Sequence, residues 1–352
     1  MQELLGKIAA LDPEASLGLR VIACFDELII GNVNTRALLS AAASLAGCNA
    51  GYAQEHPRRV VRVTPRGELA PSDGAGPGGL VQQADGLTVW LEREGPKHAN
   101  DDMILERLAL SVRIRCGQGT QDLDNRRDLG VLLDGAVPVD ERQLAATRLG
   151  LSTTGSHRVV AAPLFALWGG ARPRGPEDVV PTSLGSLHAV VVPSDCTTVS
   201  ASPAGIGIAC GVEHLPHSFR TALVALRLCS LPGTPLVNAD EYAGLIGLLA
   251  DAPSDAHMPD VDLLDDVMTH AWACPTLDAL IRAGSLRQAA RLGGVHHSTM
   301  QQRVDVIAAM MGFDPIDGLG RTRLGIAYLV WRLRHSRVLD LPAPNAAVEA
   351  SA

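Results

Sequence analysis

The sequence predicts an α+β chain of several domains: two mixed α/β blocks followed by an all-helical unit. Three observations carry that expectation. A length of 352 residues exceeds the size at which a single core keeps growing. Up to about residue 251 the apolar residues switch between strand and helix spacing, whereas from about Asp262 to Arg337 the spacing is helical throughout. Charge is also divided unevenly. From Thr276 to Val338 nine arginines stand against four aspartates, although the chain as a whole carries −8, so a small basic unit follows an acidic body.

Composition narrows the function classes. Hydrophobic residues make up 47%, enough to fill several cores, and aromatics only 3%. No apolar run reaches the roughly 18 residues of a membrane span, the best being Val159 to Trp168, which Pro163 interrupts. Met1 to Leu11 has an early acid, Glu3, and lacks a signal-peptide plan, so the expectation is a soluble cytoplasmic protein with no membrane partner. The seven cysteines (Cys24, Cys48, Cys116, Cys196, Cys210, Cys229 and Cys274) form no CxxC pair, which points to buried free thiols and to no metal or other cofactor.

In the first block, periodicity predicts helices over Glu3 to Leu11, Ser16 to Ile30 and Thr35 to Leu45. Ala50 to Ala53 and Val60 to Thr64 read as a hairpin, Leu87 to Leu91 as a strand, and Asp101 to Ile114 as an amphipathic helix. Pro71 to Gly79, rich in glycine and proline, reads as a loop. The second block has a helix over Asp140 to Leu149, strands over Arg158 to Ala162, His188 to Val192 and Ala204 to Cys210, and a helix over Ser218 to Leu228. Residues 252–264, with two prolines, read as a linker, and 341–352 as a disordered tail.

The last unit is the most informative. A helix over Thr276 to Ala283 closes at Gly284, and Ser285-Leu286-Arg287-Gln288 has the form of a capping box opening a second helix with Leu286, Ala289, Ala290 and Leu292 inward. Gly293-Gly294 supplies a tight turn and Val295 an apolar plug. A third helix then runs from about His296 to Met311 with Met300, Val304, Ile307 and Met311 inward, ending at Gly312. Its outer face, His297, Ser298, Thr299, Gln301, Gln302 and Arg303, is rich in donors and acceptors, as a helix entering a major groove requires. Gln302 has the chemistry to bind adenine in bidentate fashion, and Thr299 and Arg303 suit the backbone or the first-turn bases. The bland alternative is a helical bundle with a solvated polar face.

Ser285 to Leu319 resembles the helix-turn-helix that closes CdaR/PucR-family regulators, with His296, Thr299 and Arg303 at family positions and Ile307, Gly312, Phe313, Asp314 and Pro315 following. At His297, Ser298 and Gln301 the family more often has Arg, Asn and Arg, and the lost charges imply weaker nonspecific binding. The resemblance reaches back through Ala204-Gly205-Ile206-Gly207, Leu215, Ser218-Phe219-Arg220 and Ala225-Leu226-Arg227-Leu228 to Asp240-Glu241-Tyr242 and Leu245 to Leu249. In the family this region resembles a degenerate GGDEF fold. Here Asp195 is the lone acid between Val192 and Ala204, too little for a magnesium-dependent cyclase, which implies a relay or oligomerisation block without catalysis. Residues 15–118 resemble a GAF-type sensor less closely, with Tyr52 and Trp90 as candidate effector contacts.

The resulting expectation is a GAF-like sensor (1–130), a GGDEF-like domain (131–251), a linker (252–264) and a helix-turn-helix domain (265–340). Its function would be that of a ligand-responsive transcriptional regulator, more often an activator in this family, and not an enzyme. Double-stranded DNA would meet Ser285, Arg287, His296, His297, Ser298, Thr299, Gln301, Gln302, Arg303, Arg321 and Arg323. An unidentified small-molecule effector, a second copy in a homodimer or higher oligomer, and RNA polymerase are the other implied partners. Two alternatives stand beside it: a nucleotide-binding signalling enzyme on the GGDEF-like block, and a protein-interaction scaffold. Glu213-His214-Leu215-Pro216-His217 invites a metal reading, but the intervening proline breaks helical ligand spacing.

Overall fold

The computed structural model describes residues 13–30, 33–54, 59–71, 79–84, 87–117, 128–164, 166–169, 173–253 and 256–339. The helix expected over Glu3 to Leu11, most of the Pro71 to Gly79 loop and the 341–352 tail lie outside these residues. The chain divides into two compact units, one formed chiefly by the residues up to 250 and the other by residues 251–337.

The first unit holds two sheets. Helices α1 (Pro13–Ile30) and α2 (Thr35–Ala46) precede strands β1 (Ala50–Gln54), β2 (Arg59–Val63), β3 (Leu80–Ala84) and β4 (Leu87–Leu91), and α3 (Asp101–Gly117) follows. The strands make an antiparallel sheet in the order β2-β1-β4-β3, with Tyr52 facing Val61 on one side and Val89 on the other. Asn34 starts α2 by accepting from the Ala37 amide, and Gly47, left-handed at φ 68°, ends it. Phe25, Leu28, Leu38, Tyr52, Leu91, Ile104 and Leu108 are buried in the core where these helices meet the sheet. Strand β3, at the edge of the sheet, is not among the expected strands, because Leu-Val-Gln-Gln-Ala does not alternate apolar with polar residues.

The second block of this unit starts with α4 (Asp128–Leu133) and α5 (Val139–Arg148). Its strands are β5 (His157–Pro163), β6 (Leu167–Trp168), β7 (Glu177–Thr182), β8 (Gly185–Pro193), β9 (Ala201–Ser202), β10 (Ala204–Ile206) and β11 (Leu236–Asn238). The main sheet runs β11-β10-β5-β8-β7. Among the described residues only β10 and β11 pair in parallel, joined by α6 (Leu215–Arg227), and α7 (Gly244–Asp251) closes the block. The strand expected to reach Cys210 stops at Ile206. Gly205 and Gly207 let α6 lie directly on β10: a Cβ at Gly205 would stand 2.2 Å from the Ala222 carbonyl oxygen, and one at Gly207 2.0 Å from that of Ser218. The two blocks share a core, since Leu164 and Val179 pack with the apolar side chains of the first sheet.

The second unit is all-helical: α8 (Pro259–Val267), α9 (Ala273–Arg282), α10 (Leu286–Leu292), α11 (His297–Met311) and α12 (Gly318–Arg334). Helix α8 begins inside the stretch read as linker. Pro259 sits in its first turn, where a missing N–H costs nothing, and Asp260 and Asp262 complement the helix dipole there. The core is Leu264, Val267, Leu277, Leu280, Ala289, Ala290, Met300, Val304, Ile307, Met311, Leu324 and Tyr328. Gly320 permits α12 to start against the preceding turn, because a Cβ there would come within 1.9 Å of the Asp314 carbonyl oxygen.

Candidate nucleic-acid interface

The interface candidate is built on α10, the glycine turn and α11. Ser285 is extended and its hydroxyl accepts from the Gln288 amide at 3.3 Å, while the Gln288 side chain accepts at 2.9 Å from the amide of Gly284, one residue before the cap. The reciprocal box is thus displaced by one position, and it still satisfies two amides at the helix start. Ala289 and Ala290 are buried and Leu286 half-buried. Leu292, expected inward, is 55% exposed. At about 100° per residue it stands about 240° round from Leu286, off the inner face, which the turn residue Gly293 completes instead.

Gly294 takes φ 62° and redirects the chain. His296 is the N-cap of α11: its Nδ1 accepts from the Ser298 amide at 3.4 Å and lies 2.8 Å from the Ser298 hydroxyl. The inner face of α11 is the expected one, with Met300, Val304, Ile307 and Met311 all buried, and Gly312 closes the helix at φ 71°. Outward lie His297, Ser298 and Gln302, exposed, with Thr299 and Gln301 half-buried. Gln301 donates to the Asp305 carboxylate one turn on, at 2.9 Å. Asp305 marks the end of a phosphate-compatible surface, since a carboxylate facing a backbone phosphate is repelled. On α10, Arg287 and Arg291 are exposed.

Three arginines expected on DNA are engaged within the unit. Arg303 donates to the hydroxyl of the fully buried Thr276 at 3.0 Å and stacks 5.5 Å over Trp272. Arg321 donates to the Leu280 carbonyl oxygen at 3.1 Å, near the end of α9, where helix carbonyls lack partners and a cation is favoured. Arg323 forms a two-point ion pair with Asp260, at 2.9 and 2.8 Å, over the Phe313 ring at 4.0 Å; the guanidinium holds the Asp260 carboxyl below its ordinary range. These contacts fasten α9, α11 and α12 to their neighbours. Replacing Arg303 by alanine is therefore expected to lower the unfolding free energy of the helical unit by about 1–2 kcal/mol. Urea unfolding checks this, and an unchanged midpoint would show that the Thr276 and Trp272 contacts do not hold the unit together.

Tyr52 and Trp90, expected to touch an effector, are each 1% exposed. The Trp90 indole lies across Gly51, where a Cβ would be 2.3 Å from the ring, and its Nε1 donates to Glu92 at 3.1 Å. Tyr52 packs in the core with Val89 and Leu91, whereas Trp90, opposite Gly51 in the β1–β4 register, is buried on the other face of the sheet, so the two side chains point away from each other. Among the described residues no cluster of His, Cys, Asp and Glu could hold a metal, and no helix is long and apolar enough to cross a membrane. Cys24 and Cys229 are buried as expected, whereas Cys274 is exposed.

No curated protein matches the chain significantly. A solved structure, the regulator of polyketide synthase expression from Bifidobacterium adolescentis, shares 18% identity over 60% of this chain and 98% of its own. Its TM-score of 0.24 is too low for fold or function to be carried across. The α9 to α12 segment is where a family likeness is specific: residues 274–330 match the PucR C-terminal helix-turn-helix domain, and through them the chain is similar to PucR-type regulators.

Proposed function

We propose that the chain is a ligand-responsive transcriptional regulator that reads DNA through the N-terminal half of α11. The observation that carries this reading is the pairing of α10 and α11 across Gly293-Gly294 with an exposed polar start to α11, in the segment that matches the PucR helix-turn-helix. In such a pair the second helix enters the major groove with its first residues at base edges while the first crosses the backbone. His297, Ser298 and Gln302 then meet bases, and Ser285, Arg287 and the amides at the helix start meet phosphates. The two blocks of the first unit are a GAF-like sensor (1–130) and a non-catalytic GGDEF-like relay (131–251), and the outcome of effector binding is activation, with RNA polymerase as the downstream partner. The chain works as a homodimer, because paired half-sites about one helical turn apart multiply the limited affinity of one helix in one groove.

Genomic fragments retained by the purified protein define the operator. Isotherms on that duplex and a scrambled one, at two salt concentrations, then separate the roles. Gln302→Ala is expected to reduce discrimination between the duplexes about tenfold, the loss of one bidentate base contact. Arg287→Ala is expected to weaken both equally and to lower the salt slope by about one. Failure to retain any DNA, with the protein folded, rejects the regulator reading.

A further inference from the structure

The first unit contains a cavity of about 560 Å³, within the size range of small-molecule sites. Its wall draws on four separate stretches: the start of α2, residues 130–137, β7 and α6. Leu133, Val180, Phe219 and Leu223 give it an apolar body. Two guanidiniums border it. Arg36 is anchored by a hydrogen bond from Nη2 to the Gly67 carbonyl oxygen at 2.9 Å, and Arg220 stands exposed on α6. Of the acids on the wall, Asp178 is turned to protein donors through both oxygens, whereas Asp134 is exposed and engages one. Asp178 accepts from Asn34 at 2.7 Å and from the Val179 amide at 2.8 Å, and Asp134 accepts from the Ala136 amide at 2.8 Å.

We infer that this cavity binds a small amphipathic organic anion, its carboxylate held by Arg36 and Arg220 and its apolar body lying against Phe219 and Leu223. Guanidinium pairs favour a planar carboxylate, and the apolar wall favours an aryl or alkyl chain over a sugar or nucleotide. The ligand would touch α2 of the first block and α6 of the second at once, beside the Asn34 to Asp178 hydrogen bond that ties the blocks together. Identifying this ligand with the effector rests on the regulator reading; the binding site does not.

Titration calorimetry on the full chain tests it with phenylacetate, phenylbutyrate and phenylhexanoate, each beside the alcohol of equal length. The expected result is saturable binding of at least one acid, about tenfold or more tighter than its alcohol, the worth of one charge-assisted contact. Arg36→Met and Arg220→Met should erase the preference for the acid and leave the alcohol unchanged. Leu223→Trp, or Thr182→Trp should the former fail to fold, should abolish both by filling the space. No saturable binding by wild-type protein, or acid binding indifferent to both fillers, overturns the proposal. Retention of operator DNA is measured on the same preparation. Retention without uptake of any acid sinks the cavity alone, and uptake without retention sinks the regulator alone.

Discussion

Gly205→Ala is expected to destabilise the first unit by about 3 kcal/mol or more, at the upper end of what overpacking costs. The added methyl would stand 2.2 Å from the Ala222 oxygen and 2.3 Å from the Leu226 nitrogen, both backbone atoms of α6. A side chain could rotate away, but a helix backbone relieves the clash only by lifting as a whole. Doing so would open the contact of Ala222 and Leu226, both fully buried, with the strand beneath. Urea unfolding measures the effect, with Gly244→Ala as control because open space surrounds that position. Equal midpoints for Gly205→Ala and wild type would show that α6 does not press on β10.

Asp178→Asn is expected to change how stability depends on pH. Burial pushes the Asp178 carboxyl up to about 7 from its ordinary 3.8, against the opposing pull of the Val179 amide, Arg115 and Asn34, while Glu177 adds to the rise. Because the folded pKa is the higher one, between pH 4 and 7 the folded state keeps a proton that the unfolded chain has released. Stability therefore falls as pH rises through that window and levels off above it. At 1.36 kcal/mol per pKa unit the loss amounts to about 4 kcal/mol, and asparagine, which cannot ionise, is spared it. Unfolding free energies of the two proteins from pH 4 to 8 should diverge, the variant gaining on wild type as pH rises. Parallel curves would mean that the carboxyl is well solvated.

What could be read from sequence was whatever local spacing encodes. The inner face of α11 follows from Met300, Val304, Ile307 and Met311 at helical spacing, and the caps at Ser285 and Gly312 from residue type alone. Strand β4 has the expected bounds because Leu-Thr-Val-Trp-Leu is short and β-prone. What escaped is non-local. The Arg323 to Asp260 pair joins residues 63 apart, and the Asn34 to Asp178 contact spans 144, so nothing near an arginine in the sequence tells whether it meets a phosphate or an aspartate. The cavity escaped for the same reason, its wall being gathered from four distant stretches. Helical spacing from about Asp262 was legible, but the helix starts earlier: Pro259 followed by Asp260 and Asp262 is its first turn, inside the stretch that two prolines make read as a linker.

Helix α8 closes on the last helix of its own unit, through Asp260 on Arg323 and through Asp265, which accepts from the Trp331 indole at 2.7 Å. The first and last helices of the 251–337 segment are thus buckled together. On the proposed reading such a segment is a portable reading head: spliced behind a foreign dimerising protein, it would carry its DNA preference into the chimaera.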